Sequence, residues 1–278
     1  MEVTYRRLLP EAEVQRSGGV PASLVTDEKK RGAQHVHGFV GFRGSSQELG
    51  LPTWNTWSFP AWKASDGADA LSSAWSVLFG SNREDRPEFL ASSEKANQAQ
   101  LPAFIAFPSA KDPTYDERNP GKSSAVIITE GRAEYFGNVG PESARGEEYA
   151  DVKARYEQGI KNALLRHFPH LESKIDYVIL GTPWSSEYYL GRKTSYGLNH
   201  TAGRMLDPSI STSVPGIKGL YLTGQDIVVG GIYPQFVAAW ITLVKVMGIT
   251  SPDFWLLLGE FAMSFGRRVL FDKTYVSK

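Results

Sequence analysis

The segment Gly219-Leu-Tyr-Leu-Thr-Gly-Gln-Asp-Ile-Val-Val-Gly-Gly231, with the apolar run of residues 234–247 behind it, constrains this chain more than any other stretch. Leu220, Tyr221, Leu222 and Thr223 predict a short buried strand. Gly224 and the Gly230-Gly231 pair predict sharp turns, and Pro234 suits the first turn of a helix. The order is strand, tight turn, helix. In an open α/β sheet, ligands settle at the carboxyl edge of such a strand, beside the free backbone N–H groups of the helix. A glycine at that edge lets a ligand lie against the main chain. An acid two residues later, Asp226, accepts hydrogen bonds from sugar-type hydroxyls. The same junction also occurs in α/β proteins that bind nothing there, so pattern alone leaves both readings open.

At 278 residues the chain suffices for one large domain or two small ones. Its 30 basic and 30 acidic side chains cancel, so nothing in the charge favours a nucleic-acid partner. It has no cysteine, which excludes disulfides, zinc-thiolate clusters and thiol catalysis by these residues. Residues 1–19 are charged and lack the apolar centre of an export signal. The chain reads as beginning within a domain.

Residues 35–42 approximate a strand, and residues 44–51 the loop that leaves it. His35 and His37 fall on one face at a spacing open to a metal, but no third ligand follows, which favours two ordinary strand histidines. Residues 52–62 hold Trp54, Trp57, Phe59 and Trp62, either core or the wall of a pocket for an elongated apolar ligand. Residues 81–100 are polar enough for a surface loop or short helix. Residues 104–107 and 125–129 predict two strands of a hairpin-like unit around a polar turn. Tyr149, Val152, Tyr156, Ile160, Ala163, Leu164 and Phe168 recur at helical spacing until Pro169 stops them. His167 and His170 at that end suit capping or surface positions. Residues 175–180 read as a further strand turning at 181–183. Residues 184–200 have no clean period and crowd tyrosines around Gly191 and Gly197, as an ordinary surface loop or a cofactor-side wall would.

Residues 227–244 carry no formal charge, yet the glycines, Tyr233, Pro234 and Gln235 leave too short an apolar helix to span a bilayer, so a buried helix is expected. Residues 254–265 form a second apolar segment containing Glu260, with Arg267 and Arg268 behind it. It suits either an interfacial helix or a terminal helix docked on the core.

The string GLYLTGQDI at residues 219–227 resembles the C-terminal flavin-binding segment of the FAD-dependent family that comprises retinol saturases, carotenoid isomerases and phytoene desaturases. FIAFPSAKDPTYDERNPGKS at 104–123 and LLRHFPHLESKIDYVILGTPWSSEYYLGRKTSYGLNH at 164–200 resemble it in the same order. The resemblance implies an α/β (α+β mixed) chain, the C-terminal part of a two-domain FAD-binding Rossmann-like flavoprotein with a mixed-sheet substrate domain. Residues 1–200 would then belong to the substrate portion, 201–250 to the strand-turn-helix of the FAD domain, and 251–278 to a terminal helix and tail. The family's G-x-G-x-x-G turn for the ADP half of FAD is not found. Gly38, Gly41 and Gly44 have the wrong spacing, so the N-terminal ADP-binding unit is expected to be absent and some strands to lack neighbours.

The same resemblance implies FAD as cofactor, held by Gly224, Gln225, Asp226, Gly230 and Gly231, with NAD(P)H as a possible electron source. It implies a polyene or retinoid substrate saturated at a carbon-carbon double bond, with Tyr196, His200 and Tyr233 as candidate proton donors. Peripheral membrane contact at the endoplasmic reticulum or plastid goes with such a substrate. Tyr233, Pro234 and Trp240 are bulkier than their counterparts in the family, which bears on substrate identity and on activity itself. A cis-trans isomerase of the same fold and a non-catalytic fragment that binds lipid or a partner are the alternatives.

Overall fold

Alternation along residues 35–43 sets the sheet. In the computed structural model, which describes residues 4–20, 33–59, 86–137, 145–198, 207 and 210–271, His35–Arg43 forms strand β1. It buries Val36, Val40 and Phe42 on one face and turns Phe39 outward on the other. Strands β2 (Thr56–Ser58), β3 (Ala103–Ala106), β4 (Lys122–Glu130) and β5 (Ile175–Gly181) join it in the order β2-β3-β4-β1-β5. The mixed helix and sheet content agrees with expectation, but every described strand pair is antiparallel, so the sheet is not mixed. Residues 107–121 fold β4 straight back on β3, and no described connection carries the chain across to a parallel neighbour.

Helix α1 (Ser93–Gln98) is capped by the Ser92 side chain, which accepts from the Lys95 backbone N–H at 3.2 Å. Helix α2 (Glu147–His167) lays Val152, Tyr156, Ile160, Ala163 and Leu164 into the core shared with Val36, Val40 and Ile127. Burying Ile160 and Leu164 contributes about 1.5–3 kcal/mol each. Gly38 makes room for this helix, since a Cβ there would lie 2.9 Å from Ile160 Cγ2. Asn162 Nδ2 on α2 lies 3.0 Å from the carbonyl of Ala99, just past α1, so the two helices are tied by a polar bond as well as by packing. His167 and His170 are exposed, as expected, but each also bonds a distant segment: His167 Nε2 pairs with Ser58 Oγ at 2.9 Å and His170 Nε2 with the Leu49 carbonyl at 3.1 Å.

Beyond β5 the irregular segment expected from residue 184 begins instead as helix α3 (Pro183–Leu190). Its cause is local: the Thr182 and Ser185 side chains cap each other's backbone N–H groups, and Gly191, at φ 68°, ends it in the left-handed conformation.

The chain divides into two compact units, residues 28–199 as just described, and residues 1–27 with 200–278. In the second unit the strand expected at 220–223 is reduced to one bridge between Ser213 and Tyr221, with Tyr221 37% exposed. Among the described residues its partner is the facing loop, where the Leu222 N–H donates to the Thr212 carbonyl at 2.6 Å. Helix α4 (Ile232–Met247) begins at the predicted place, with Pro234 in its first turn. It is not the buried helix expected, because Ala238 alone among its residues is buried while Ile232, Tyr233, Phe236 and Val237 are exposed. Helix α5 (Pro252–Phe271) meets it through Trp240, whose ring lies 6.1 Å from Phe254 and 5.5 Å from Phe261. Phe254 is buried, while Trp255, Leu256 and Met263 are exposed. The side chains of Arg267 and Arg268 and the residues of Trp62 and His200 lie outside the described set.

Candidate functional site

The turn between the Tyr221 bridge and α4 opens a hollow of about 580 Å³, and Thr223, Gly224, Gln225, Asp226, Gly231 and Gln235 form its wall. Four of the five residues expected to hold a cofactor are therefore brought together, and Gly230 adjoins them in the chain. Gly224 has φ 101° and Gly231 φ 121°, a region that side chains resist. Space is not the reason for glycine, since a Cβ would stand at an ordinary 3.5 Å from Gln235 Oε1 at Gly224 and from Pro234 Cδ at Gly231. Conformation is.

Asp226 is buried to 9% exposure on the wall of the hollow. Gln235 holds the turn in shape by donating from Nε2 to the carbonyls of Gly231 at 2.9 Å and Val229 at 3.2 Å. Gly231 caps α4 without a side-chain bond, which leaves the positive helix end facing this turn. Gln235, the residue that fixes the turn, was missed in sequence. Its signal is a polar side chain in the otherwise apolar first half of the helix.

The chemistry of this lining bears on what it could hold. Glycines keep the main chain bare, a carboxylate can accept from hydroxyls, and among the described residues lining the hollow none is Lys or Arg. A hydroxylated, uncharged tail suits such a wall, whereas a diphosphate would meet the Asp226 carboxylate.

The candidate proton donors separate. Tyr196 belongs to the unit of residues 28–199 and Tyr233 to the other. Tyr233 stands 84% exposed on the first turn of α4. Tyr196 sits with its ring edge-on to His35 at 5.8 Å, and burial pushes its phenol above the usual tyrosine range, so it holds its proton at neutral pH. His35 is in turn 6.2 Å from His37, whose pKa burial lowers. Among the described residues no cluster suited to a metal ion exists.

His35, His37 and Tyr196 line a second cavity of about 220 Å³ together with Trp57, Phe104 and Ile128. Trp57 was a candidate for such a wall. Phe104, Ile128 and Ser195, whose Oγ is buried there, were missed. The signal was present in Val126-Ile127-Ile128, where apolar residues occupy both faces of β4 and so call for cover on both sides of the sheet.

No family model matches the chain. Among curated proteins, the all-trans-retinol 13,14-reductase of Homo sapiens is 31% identical over 238 residues and that of Danio rerio 31% over 235 residues. Each match covers 82% of this chain and 35% of the relative, so the chain spans only a minor part of the relatives' length. An inactive all-trans-retinol 13,14-reductase of Danio rerio is 29% identical over 234 residues, with the same coverage. Over most of its own length, this chain is similar to a part of the all-trans-retinol 13,14-reductases.

Proposed function

We propose that the chain forms part of an FAD-dependent oxidoreductase that saturates a carbon-carbon double bond of a retinoid or carotenoid. The observation that carries this reading is the similarity to retinol reductases across 82% of the chain. The hollow at Gly224 and Gly231 supports it.

In this reading Asp226 would accept hydrogen bonds from the ribityl hydroxyls, Gly224 and Gln225 would offer close main-chain approach, and the N-terminal end of α4 would stabilise negative charge on the reduced flavin. When bound, the flavin supplies the hydride equivalent for the reduction, replenished from NAD(P)H. The chain's own residues position the polyene and deliver the proton. Tyr196 is the better suited donor of the two described candidates, because its phenol is partly buried and keeps its proton, whereas Tyr233 is open to water. The substrate portion is the sheet unit, whose outward face carries Phe39, Trp57 and Ile179 exposed. Peripheral contact with a membrane belongs to the same reading, through Trp255, Leu256 and Met263 on α5. Among the described residues no helix is long and apolar enough to cross a bilayer.

A second reading, a chain without catalysis that binds lipid or a partner, is favoured by the similarity to the inactive relative. The test is to load the chain with FAD, reduce it chemically without oxygen and add all-trans-retinol. A dihydroretinol product is expected. Retinol recovered with altered double-bond geometry alone supports an isomerase, and retinol recovered unchanged supports the non-catalytic reading.

A further inference from the structure

Strand register lays the floor of the 220 Å³ cavity of the sheet unit, and the loop at Ser195 and Tyr196 closes it. Trp57 pairs with Phe104, Phe104 with Ile128, Ile128 with His37, and His37 with Gly181, so one row of the outward face crosses all five strands of this sheet. The row is apolar at its β2, β3 and β4 positions, with Trp57 edge-on to Phe104 at 4.8 Å. It turns polar at β1. Ser195 and Tyr196 close the wall, and the Ser195 backbone is fixed there by its N–H donating to the Ala33 carbonyl at 3.0 Å. Ser195 Oγ is buried without a hydrogen-bond partner among the described residues. A buried hydroxyl in that state is costly unless something arrives to pair with it.

The next row outward, Val126, Phe39 and Ile179, continues the apolar surface from the cavity across β4, β1 and β5. A cavity below the roughly 300–1,000 Å³ of a site that encloses a whole small ligand takes one end of a longer one. The surface beside it carries the rest.

We propose that this cavity is the socket for the hydroxyl-bearing end of an elongated isoprenoid alcohol, with Ser195 Oγ bonding the alcohol and Ile128, Phe104 and Trp57 packing the carbons next to it. The inference rests on the retinoid reading above and adds to it which end is gripped, and by what. His37 is kept neutral by burial and so faces the alcohol as a dipole rather than a cation. In retinol the 13,14 bond adjoins the carbon that carries the hydroxyl. An alcohol held at Ser195 therefore brings that bond to the wall where Tyr196 stands next in sequence.

The experiment is equilibrium dialysis of the full 278-residue chain with all-trans-retinol and with the hydrocarbon of the same skeleton that lacks the hydroxyl. Wild-type protein is expected to bind the alcohol about 10-fold more tightly than the hydrocarbon, and Ser195→Ala to cut that ratio to about 2-fold or less. Ile128→Trp, which fills the socket, is expected to weaken both ligands by more than about 10-fold. Should Ile128→Trp melt early, the Ser195→Ala ratio decides alone. A chain that binds retinol with the same ratio in wild type and Ser195→Ala overturns the socket and leaves the retinoid reading standing. A chain that binds neither ligand overturns both.

Discussion

His37 couples the candidate substrate wall to pH. Its imidazole is kept mostly unprotonated by burial on the sheet, with His35 and Tyr196 as its titratable neighbours in the cavity. His167 is lowered too, by burial and then by the nearby Arg166 charge. Because both folded-state values lie below the ordinary histidine value of 6.5, the unfolded chain binds more protons than the folded chain once pH drops beneath that value. Stability is therefore present in full above pH 6.5 and declines as pH falls through the window below it. Melting temperature measured from pH 8 to pH 5 is expected to decrease on the acid side, and His37→Gln to flatten part of that slope. At Tyr196, removing the hydroxyl takes away a proton without changing the shape of the wall. Tyr196→Phe is expected to slow dihydroretinol formation by about 100-fold or more while retinol binding stays within about 3-fold.

Among elements, α2 and the strands β1, β3, β4 and β5 were legible because their patterns are strong, whereas β2 and the antiparallel pairing were not. A repeat of three and four residues from Tyr149 to Leu164 can bury one helix face only, and β1 sets Val36, Val40 and Phe42 on its core face. Packing of α2 on β1 depends on Gly38. Gly38→Leu is expected to lower unfolding free energy by about 1–3 kcal/mol in a denaturant titration, since Ile160 has to move aside. Where the pattern failed, a competing local or tertiary effect decided. Helix α3 carries Tyr188, Tyr189 and Leu190 exposed and so shows no apolar stripe, but the reciprocal Thr182 and Ser185 cap starts it regardless. Residues 220–223 have the composition of a strand, but among the described residues no strand lies beside them. At the candidate site the glycine turn and Asp226 were readable from neighbouring residues in sequence, whereas the second cavity assembles Trp57, Phe104, Ile128 and His37 from distant segments through strand register and adds Ser195 from a loop.

Across the whole molecule, each unit contributes its own cavity. The unit of residues 1–27 and 200–278 carries the hollow at Gly224, Asp226 and Gly231, and the sheet unit carries a small, mostly apolar cavity with a polar end. The exposed apolar residues of α5 lead to a prediction about the intact chain. Vesicles are expected to carry it upward in a flotation gradient, and the double variant Trp255→Glu, Leu256→Glu to leave it at the bottom.

The most direct measurement is a flavin titration of the purified chain, followed by the shift of the flavin absorbance bands and by the flavin retained after gel filtration. Wild-type protein is expected to retain FAD, and Asp226→Ala to weaken binding by about 10-fold or more while melting like the wild type. Absence of any bound flavin, or equal retention by Asp226→Ala, would contradict the assignment of this turn to a flavin tail.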